Sequence, residues 1–78
     1  MPDIMPQIKE VFEAAFGANP DSITINTTPE QVEGWDSLGH ASLAAALEKH
    51  FNIKFDIDDL MAMENVRAIV DIINGKLD

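Results

Sequence analysis

A polar loop gives way to a long helical run at the stretch Gly34-Trp35-Asp36-Ser37-Leu38-Gly39-His40. A serine directly before such a run is typical of a helix start, because its side-chain oxygen accepts hydrogen bonds from the first free backbone N–H groups. A helix N-terminus also carries roughly half a positive charge and several unpaired donors, which suit a phosphate group as well as a cap. We therefore predict that Ser37 lies at the N-terminus of a helix.

The run that follows predicts the second helix of the chain. Its large apolar residues are separated by small ones: Leu38, Leu43, Leu47 and Phe51, with Ala41, Ala44, Ala45 and Ala46 between them. A face of alanines allows other helices to approach closely and leaves an interior that an apolar chain could enter if the bundle parts. Alanine also simply favours the helix, so both interpretations stay open.

Upstream, an apolar stripe at three- and four-residue steps predicts the first helix over residues 4–16. Asp3 is its expected cap, Pro6 is tolerated in the first turn, and Gly17 ends it. A connection of about twenty residues then leads to Asp36 and contains turn residues rather than a stripe. Apolar side chains along it are expected to anchor it to the core, and residues 28–31 can open a short helical turn.

Downstream, residues 52–55 predict a loop, and the acidic residues Asp56, Asp58 and Asp59 introduce a short third helix that extends to Met63. Apolar residues stand where a calcium-binding loop needs a ligand and a glycine, so we expect no metal site. Asn65 is the predicted cap of a fourth helix that stops at residues 74–75. The sequence therefore predicts an all-α fold: a four-helix bundle with a long loop between helices one and two and a short third helix.

Length and composition limit the organisation further. The chain has 78 residues, 14 of them acidic and five basic, which gives a net charge of −9 and no cysteine. We expect a single domain over residues 1–78 without disulfides, and a monomer. The negative charge disfavours nucleic acid and anionic membranes as partners. Without a signal sequence or an apolar run of membrane-spanning length, a cytoplasmic location is expected.

The motif Asp36-Ser37-Leu38 resembles the DSL motif of acyl carrier proteins, and the likeness extends over nearly the whole chain, through residues 45–51 to the ending at 72–75. The resemblance implies that Ser37 carries a covalent 4′-phosphopantetheine, and that Asp36 and Leu38 belong to the motif that a phosphopantetheinyl transferase recognises. It also implies a carrier that is not an enzyme and has no catalytic residues. Such a carrier holds acyl intermediates as thioesters and delivers them to acyl-loading and acyl-transferring enzymes.

Two departures bear on the pathway. Carriers of fatty-acid synthesis usually have carboxylates where this chain has Gly39 and Ser42, so recognition by fatty-acid enzymes is in doubt. Trp35 and Gly39-His40 resemble carriers of specialised pathways more closely, and an aminoacyl or peptidyl cargo is the alternative. On sequence alone, the double variant Gly39→Asp with Ser42→Glu is expected to fold at least as well as the parent, because the introduced aspartate lies in the first turn of the helix.

Other functions remain as alternatives. Ser37 and His40 are three residues apart and Asp36 is adjacent, which suggests a hydrolase triad, although so small a bundle has little room for a water-excluding site. His40 is expected to face solvent, and Trp35 either packs in the core or contacts a partner. An unmodified helical interaction module would keep the bundle without using Ser37.

Overall fold

The computed structural model describes residues 3–77, and this part of the chain folds into four α-helices. They are α1 (Met5–Phe16), α2 (Ser37–Phe51), α3 (Ile57–Ala62) and α4 (Val66–Leu77). Two 3₁₀ turns, Pro20–Ser22 and Pro29–Gln31, lie in the long connection between α1 and α2. The predicted all-α bundle, its long first connection and its short third helix are therefore confirmed.

One hydrophobic core joins α1, α2, α4 and the long connection. Its fully buried side chains are Ile8, Phe12, Ile23, Leu43, Leu47, Val66, Ile69 and Ile73. Fully burying one such side chain stabilises the fold by about 1.5–3 kcal/mol, so the core alone can hold a chain without disulfides. Leu38 was predicted among the apolar positions of α2, but it is 83% exposed. Leu38 lies in α2 as predicted, and it is exposed because the five residues from Leu38 to Leu43 turn the helix roughly 140° away from the buried stripe.

The long connection is held against the start of α4 by its own backbone. The Val66 N–H donates to the Thr27 carbonyl oxygen and the Arg67 N–H donates to the Ile25 carbonyl oxygen, each at 2.9 Å. Thr27 is buried, and its Oγ1 accepts from the Thr24 N–H at 2.8 Å. These bonds satisfy donors that a helix start leaves free, so the loop and α4 stabilise each other. The predicted helical turn at 28–31 is confirmed as Pro29–Gln31.

The helix ends test the predicted caps. Asn65 Oδ1 accepts from the Ala68 N–H at 2.8 Å, and Gly17 ends α1 in the left-handed conformation with φ 66°, as predicted. Asp3 acts one position earlier than expected, since its Oδ1 accepts from the Met5 N–H and Ile4 is the capping residue.

The predicted end of α4 at residues 74–75 was wrong. Gly75 stays helical and the helix continues to Leu77. A tertiary contact holds this last turn, since Lys76 Nζ lies 2.8 Å from Asp59 Oδ2 of α3.

Candidate functional site

Ser37 is the first residue of α2, and Asp36 rather than Ser37 caps the helix. Asp36 Oδ1 accepts from the Gly39 N–H at 2.8 Å, and the Asp36 backbone carbonyl accepts the first helical bond, from the His40 N–H. The intrahelical pattern leaves the N–H groups of Ser37 and Leu38 free at this end. Ser37 is exposed. Its hydroxyl is therefore accessible at a helix N-terminus without serving as the cap.

The turn before the motif packs tightly on the first turn of α2. Gly34 has φ 93°, a conformation that favours glycine, and its carbonyl oxygen lies against the Cα of Gly39. A Cβ at position 39 would collide with that oxygen and would also stand 2.9 Å from Phe16 Cε1. The expectation that the double variant with Gly39→Asp folds as well as the parent was wrong, because position 39 has no room for a side chain.

Trp35, His40 and Leu60 form a hydrogen-bonded chain between the start of α2 and the end of α3. The Trp35 Nε1–H donates to His40 Nδ1 at 2.8 Å, and His40 Nε2 lies 2.9 Å from the Leu60 carbonyl oxygen. Since Nδ1 accepts, the ring is the neutral tautomer whose Nε2–H donates to Leu60. The prediction that His40 faces solvent was wrong, and Trp35 packs in the core at 4% exposure.

This arrangement does not fit the hydrolase triad. Both ring nitrogens of His40 are engaged, one with Trp35 and the other with Leu60. A general base must be within hydrogen-bond reach of the proton that it removes, with a free acceptor directed at it. His40 would have to break one of its bonds before it could serve Ser37.

An apolar groove of about 540 Å³ lies directly beside Ser37. The start of α2, the long connection and α3 contribute its lining: Pro29, Trp35, Asp36, Ser37, His40, Ile57, Leu60, Met61 and Met63. Met63 is buried in the core, whereas Met61 is 74% exposed. Ile57 and Met61 line this groove together with Ser37, and Leu38, the next residue of α2, is exposed.

The acidic start of α3 is occupied by local bonds. Asp56 Oδ1 accepts from the Asp59 N–H, and Asp59 Oδ2 accepts from the Asp56 N–H. The hydrogen bond from Lys76, with the backbone bond from Asp56, lowers the pKa of the Asp59 carboxyl below its ordinary value of 3.8. The same pairing raises the pKa of Lys76 above 10.5. No group of three or more His, Cys, Asp or Glu side chains within residues 3–77 is placed to hold a metal ion.

The site suits a covalently attached phosphate ester. It offers an exposed hydroxyl, free N–H groups and the positive end of a 15-residue helix, with an apolar groove alongside. A small helical bundle with such a serine defines the class of carrier proteins. No helix among residues 3–77 is long and apolar enough to cross a membrane.

Comparison with known proteins agrees. The family model described as "Phosphopantetheine attachment site" matches residues 6–73. An acyl carrier protein homolog of Mycoplasma genitalium is 35% identical over 69 residues, which are 87% of this chain and 81% of that protein. The solution structure of the holo acyl carrier protein from Geobacter metallireducens matches with a TM-score of 0.87 at 31% identity, covering 99% of this chain and 87% of that one.

The non-reducing polyketide synthase pkdA of Emericella nidulans is 34% identical over 76 residues, 96% of this chain. The chain spans only 3% of the length of that enzyme. These matches show that the chain belongs to the phosphopantetheine-binding acyl carrier protein family. It is a carrier that bears a covalent 4′-phosphopantetheine and works with partner enzymes.

The sequence identified the motif but missed two parts of its setting. The hydrogen-bonded chain from Trp35 to Leu60 joins residues 25 positions apart through a backbone oxygen, which leaves no sequence signal. The close approach of Gly34 and Gly39 did have a signal, since two glycines flank a motif at the start of a helix. We had interpreted Gly39 as a lost carboxylate rather than as a required glycine.

Proposed function

We propose that residues 1–78 form one carrier domain in which the 4′-phosphopantetheine is attached to Ser37 Oγ. The observation that carries this proposal is the exposed position of Ser37 at the first residue of α2, beside an apolar groove and with Asp36 as the cap. Because Asp36 caps the helix, the Ser37 hydroxyl is available for esterification, and its modification removes no capping bond from α2.

The chain's own residues hold the ester in place. On attachment from coenzyme A, Ser37 Oγ forms a bond to the phosphorus of the pantetheine phosphate while the pyrophosphate P–O bond breaks and adenosine 3′,5′-bisphosphate leaves; the hydroxyl proton passes to a base of the transferase. The N–H groups of Ser37 and Leu38 then stabilise the phosphate charge at the helix end. When bound, the group supplies the thiol that a chain without cysteine lacks. Side chains such as Ile57 and Leu60 line the groove beside Ser37, where an apolar cargo loses contact with water.

The partner enzymes approach the same end of the bundle. Leu38, Ile57 and Met61 are exposed at this end, and apolar surface of this kind commonly marks a protein interface. We propose that the phosphopantetheinyl transferase contacts Asp36 and Leu38, and that the acyl-loading and acyl-transferring enzymes contact this apolar rim. The net charge of −9 favours partners with basic surfaces.

A specialised pathway is the proposed setting, with the cytoplasm as the proposed location. The likeness to a segment of a polyketide synthase and the uncharged positions Gly39 and Ser42 both support this assignment. An aminoacyl or peptidyl cargo is the second candidate, favoured by the same uncharged positions. We propose that the chain has no catalytic activity of its own, since the ring nitrogens of His40 are both engaged.

Intact-mass measurement after co-expression with a broad-specificity phosphopantetheinyl transferase tests the attachment. The parent should gain the mass of the group, and Ser37→Ala should gain none while keeping its helical content. Ser22→Ala and Ser42→Ala are matched controls on exposed serines and should be modified like the parent. A Ser37→Ala protein that still gained the mass would place the attachment elsewhere.

A further inference from the structure

We propose that the hydrogen-bonded chain formed by Trp35, His40 and Leu60 closes the core of the bundle to cargo, so that a group carried on Ser37 lies in the surface groove beside α3. These three hydrogen-bonded residues are called the latch. The inference rests on the proposed attachment at Ser37. It makes Trp35 and His40 determinants of cargo specificity, in favour of short or polar acyl groups over long saturated ones.

One bond of the latch joins α2 to α3, and the other fixes Trp35 to the first turns of α2. The ring planes of Trp35 and His40 are parallel to within 10°, with centroids 6.1 Å apart, and the Trp35 Nε1–H donates to His40 Nδ1 at 2.8 Å. On its other side, His40 bonds the Leu60 carbonyl near the end of α3. Opening the gap between α2 and α3 would break the bond from His40 to Leu60 and leave the His40 Nε2–H donor without a partner. The bond from Trp35 to His40 lies on the α2 side and holds the indole in the core.

The side chains behind the latch are close-packed. Trp35 meets the ring of Phe12 edge to face, with centroids 5.1 Å apart and an angle of 82°. Leu43 and Leu47 of α2 are fully buried, and Met63 is buried at the base of the groove. A cargo chain that entered the core here would have to displace Trp35 from this packing and break its bond to His40.

The groove offers a nearer resting place. Ser37 itself forms part of its wall, and Ile57, Leu60 and Met61 of α3 line the side that faces the serine. A tethered cargo has a high effective concentration at an adjacent surface, so it occupies the groove without opening the bundle. Because the groove is open to solvent, it accommodates polar substituents and gives little further burial to a chain that extends beyond it.

The test loads the parent protein with saturated acyl groups from acetyl to dodecanoyl, using the transferase with the corresponding acyl-coenzyme A. Intact mass first confirms attachment and its dependence on Ser37, so failure of the proposed function appears at this step. The melting temperature and the indole N–H signal of Trp35, the only tryptophan in the chain, are then measured for each length. In the parent we expect the melting temperature to level off beyond hexanoyl and the indole signal to stay in place.

The variants open the latch in two ways. His40→Ala removes both bonds and Trp35→Phe keeps a ring but removes the donor, and in each the melting temperature should rise steadily up to dodecanoyl. His50→Ala is the matched control, an exposed histidine at the other end of the same helix, and should follow the parent.

A parent whose melting temperature climbs with every added methylene, or whose indole signal moves when long chains are loaded, would overturn the proposal. So would variants that fold and reproduce the parent's length profile. If neither variant folds, the melting temperatures and indole signals of the parent still test the proposal, because they report directly whether cargo enters the core.

Discussion

The carbonyl oxygen of Gly34 occupies the space that a side chain on Gly39 would need. Backbone packing therefore requires glycine at position 39. As a result, partner enzymes meet no carboxylate there. Only Ser42 can be replaced by a charged residue without a clash with the backbone. The effects of Gly39 and Ser42 on partner choice are therefore separate.

Gly39→Ala should destabilise the protein by about 1–3 kcal/mol, the usual range for overpacking, despite the better helix propensity of alanine. Gly75→Ala is the matched control: Gly75 is also helical, but an added Cβ there meets nothing within 4 Å. That substitution should stabilise the protein by about 0.5–1 kcal/mol. Urea unfolding of both variants checks the pair, and a Gly39→Ala protein as stable as Gly75→Ala would contradict the close approach.

Ser42→Glu should raise the rate at which a fatty-acid ketoacyl synthase accepts cargo from the modified protein, while the parent remains a poor substrate. Ser42 is exposed, so the new charge faces solvent and acts mainly on association. The gain should shrink with added salt, since the screening length is about 8 Å at physiological ionic strength. Ser42→Gln controls for size. Parent rates equal to those of a fatty-acid carrier would refute the specialised pathway.

Asp36→Ala should cost the protein about 1 kcal/mol of stability through loss of the cap, whereas Ser37→Ala should change it little. The Asp36 carboxylate accepts the Gly39 N–H, and this bond does not involve the Ser37 side chain. Thermal unfolding of the two unmodified variants gives the comparison. If Ser37→Ala were the less stable of the two, the assignment of the cap would be incorrect.

Lys76→Met should lower the melting temperature at neutral pH by more than Lys54→Met, which removes the same charge from an exposed loop. The lowered pKa of Asp59 means that its pairing stabilises the fold above pH 3.8 and is lost as the pH falls through that lowered pKa. Because the pKa of Lys76 is raised, the stabilisation from the pair is lost only as the pH rises above 10.5. The difference between the two variants should therefore vanish in strong acid; a constant difference there would argue against the ion pair.

The melting temperature of the parent should rise with ionic strength near neutral pH. The net charge is −9, and Asp59–Lys76 is the one ion pair found among residues 3–77. Repulsion between carboxylates therefore opposes folding until salt screens it. A melting temperature that is flat from low to high sodium chloride would remove repulsion as a limit on stability.

The periodic stripes predicted α1 and α4 because each helix buries one face. The caps followed from the side-chain oxygen of Asn65 and from the freedom of Gly17 to adopt a positive φ. The exposure of Leu38 could also have been read from its five-residue step to Leu43. The extent of α4 could not, since Lys76 reaches Asp59 only in the folded bundle. The backbone carbonyl oxygens of Thr27 and Leu60 accept tertiary hydrogen bonds, and the type of a residue does not predict such bonds.

The loop carbonyls that receive the Val66 and Arg67 N–H groups make the connection and α4 one cooperative unit. These two amide protons can exchange with solvent only when the loop lifts, so their protection should follow that of the loop rather than fraying from the helix end. An enzyme that binds the connection near Pro29 would thus slow amide exchange in α4 without contacting that helix. Amide exchange in α4 is in this way a remote reporter of events beside Ser37.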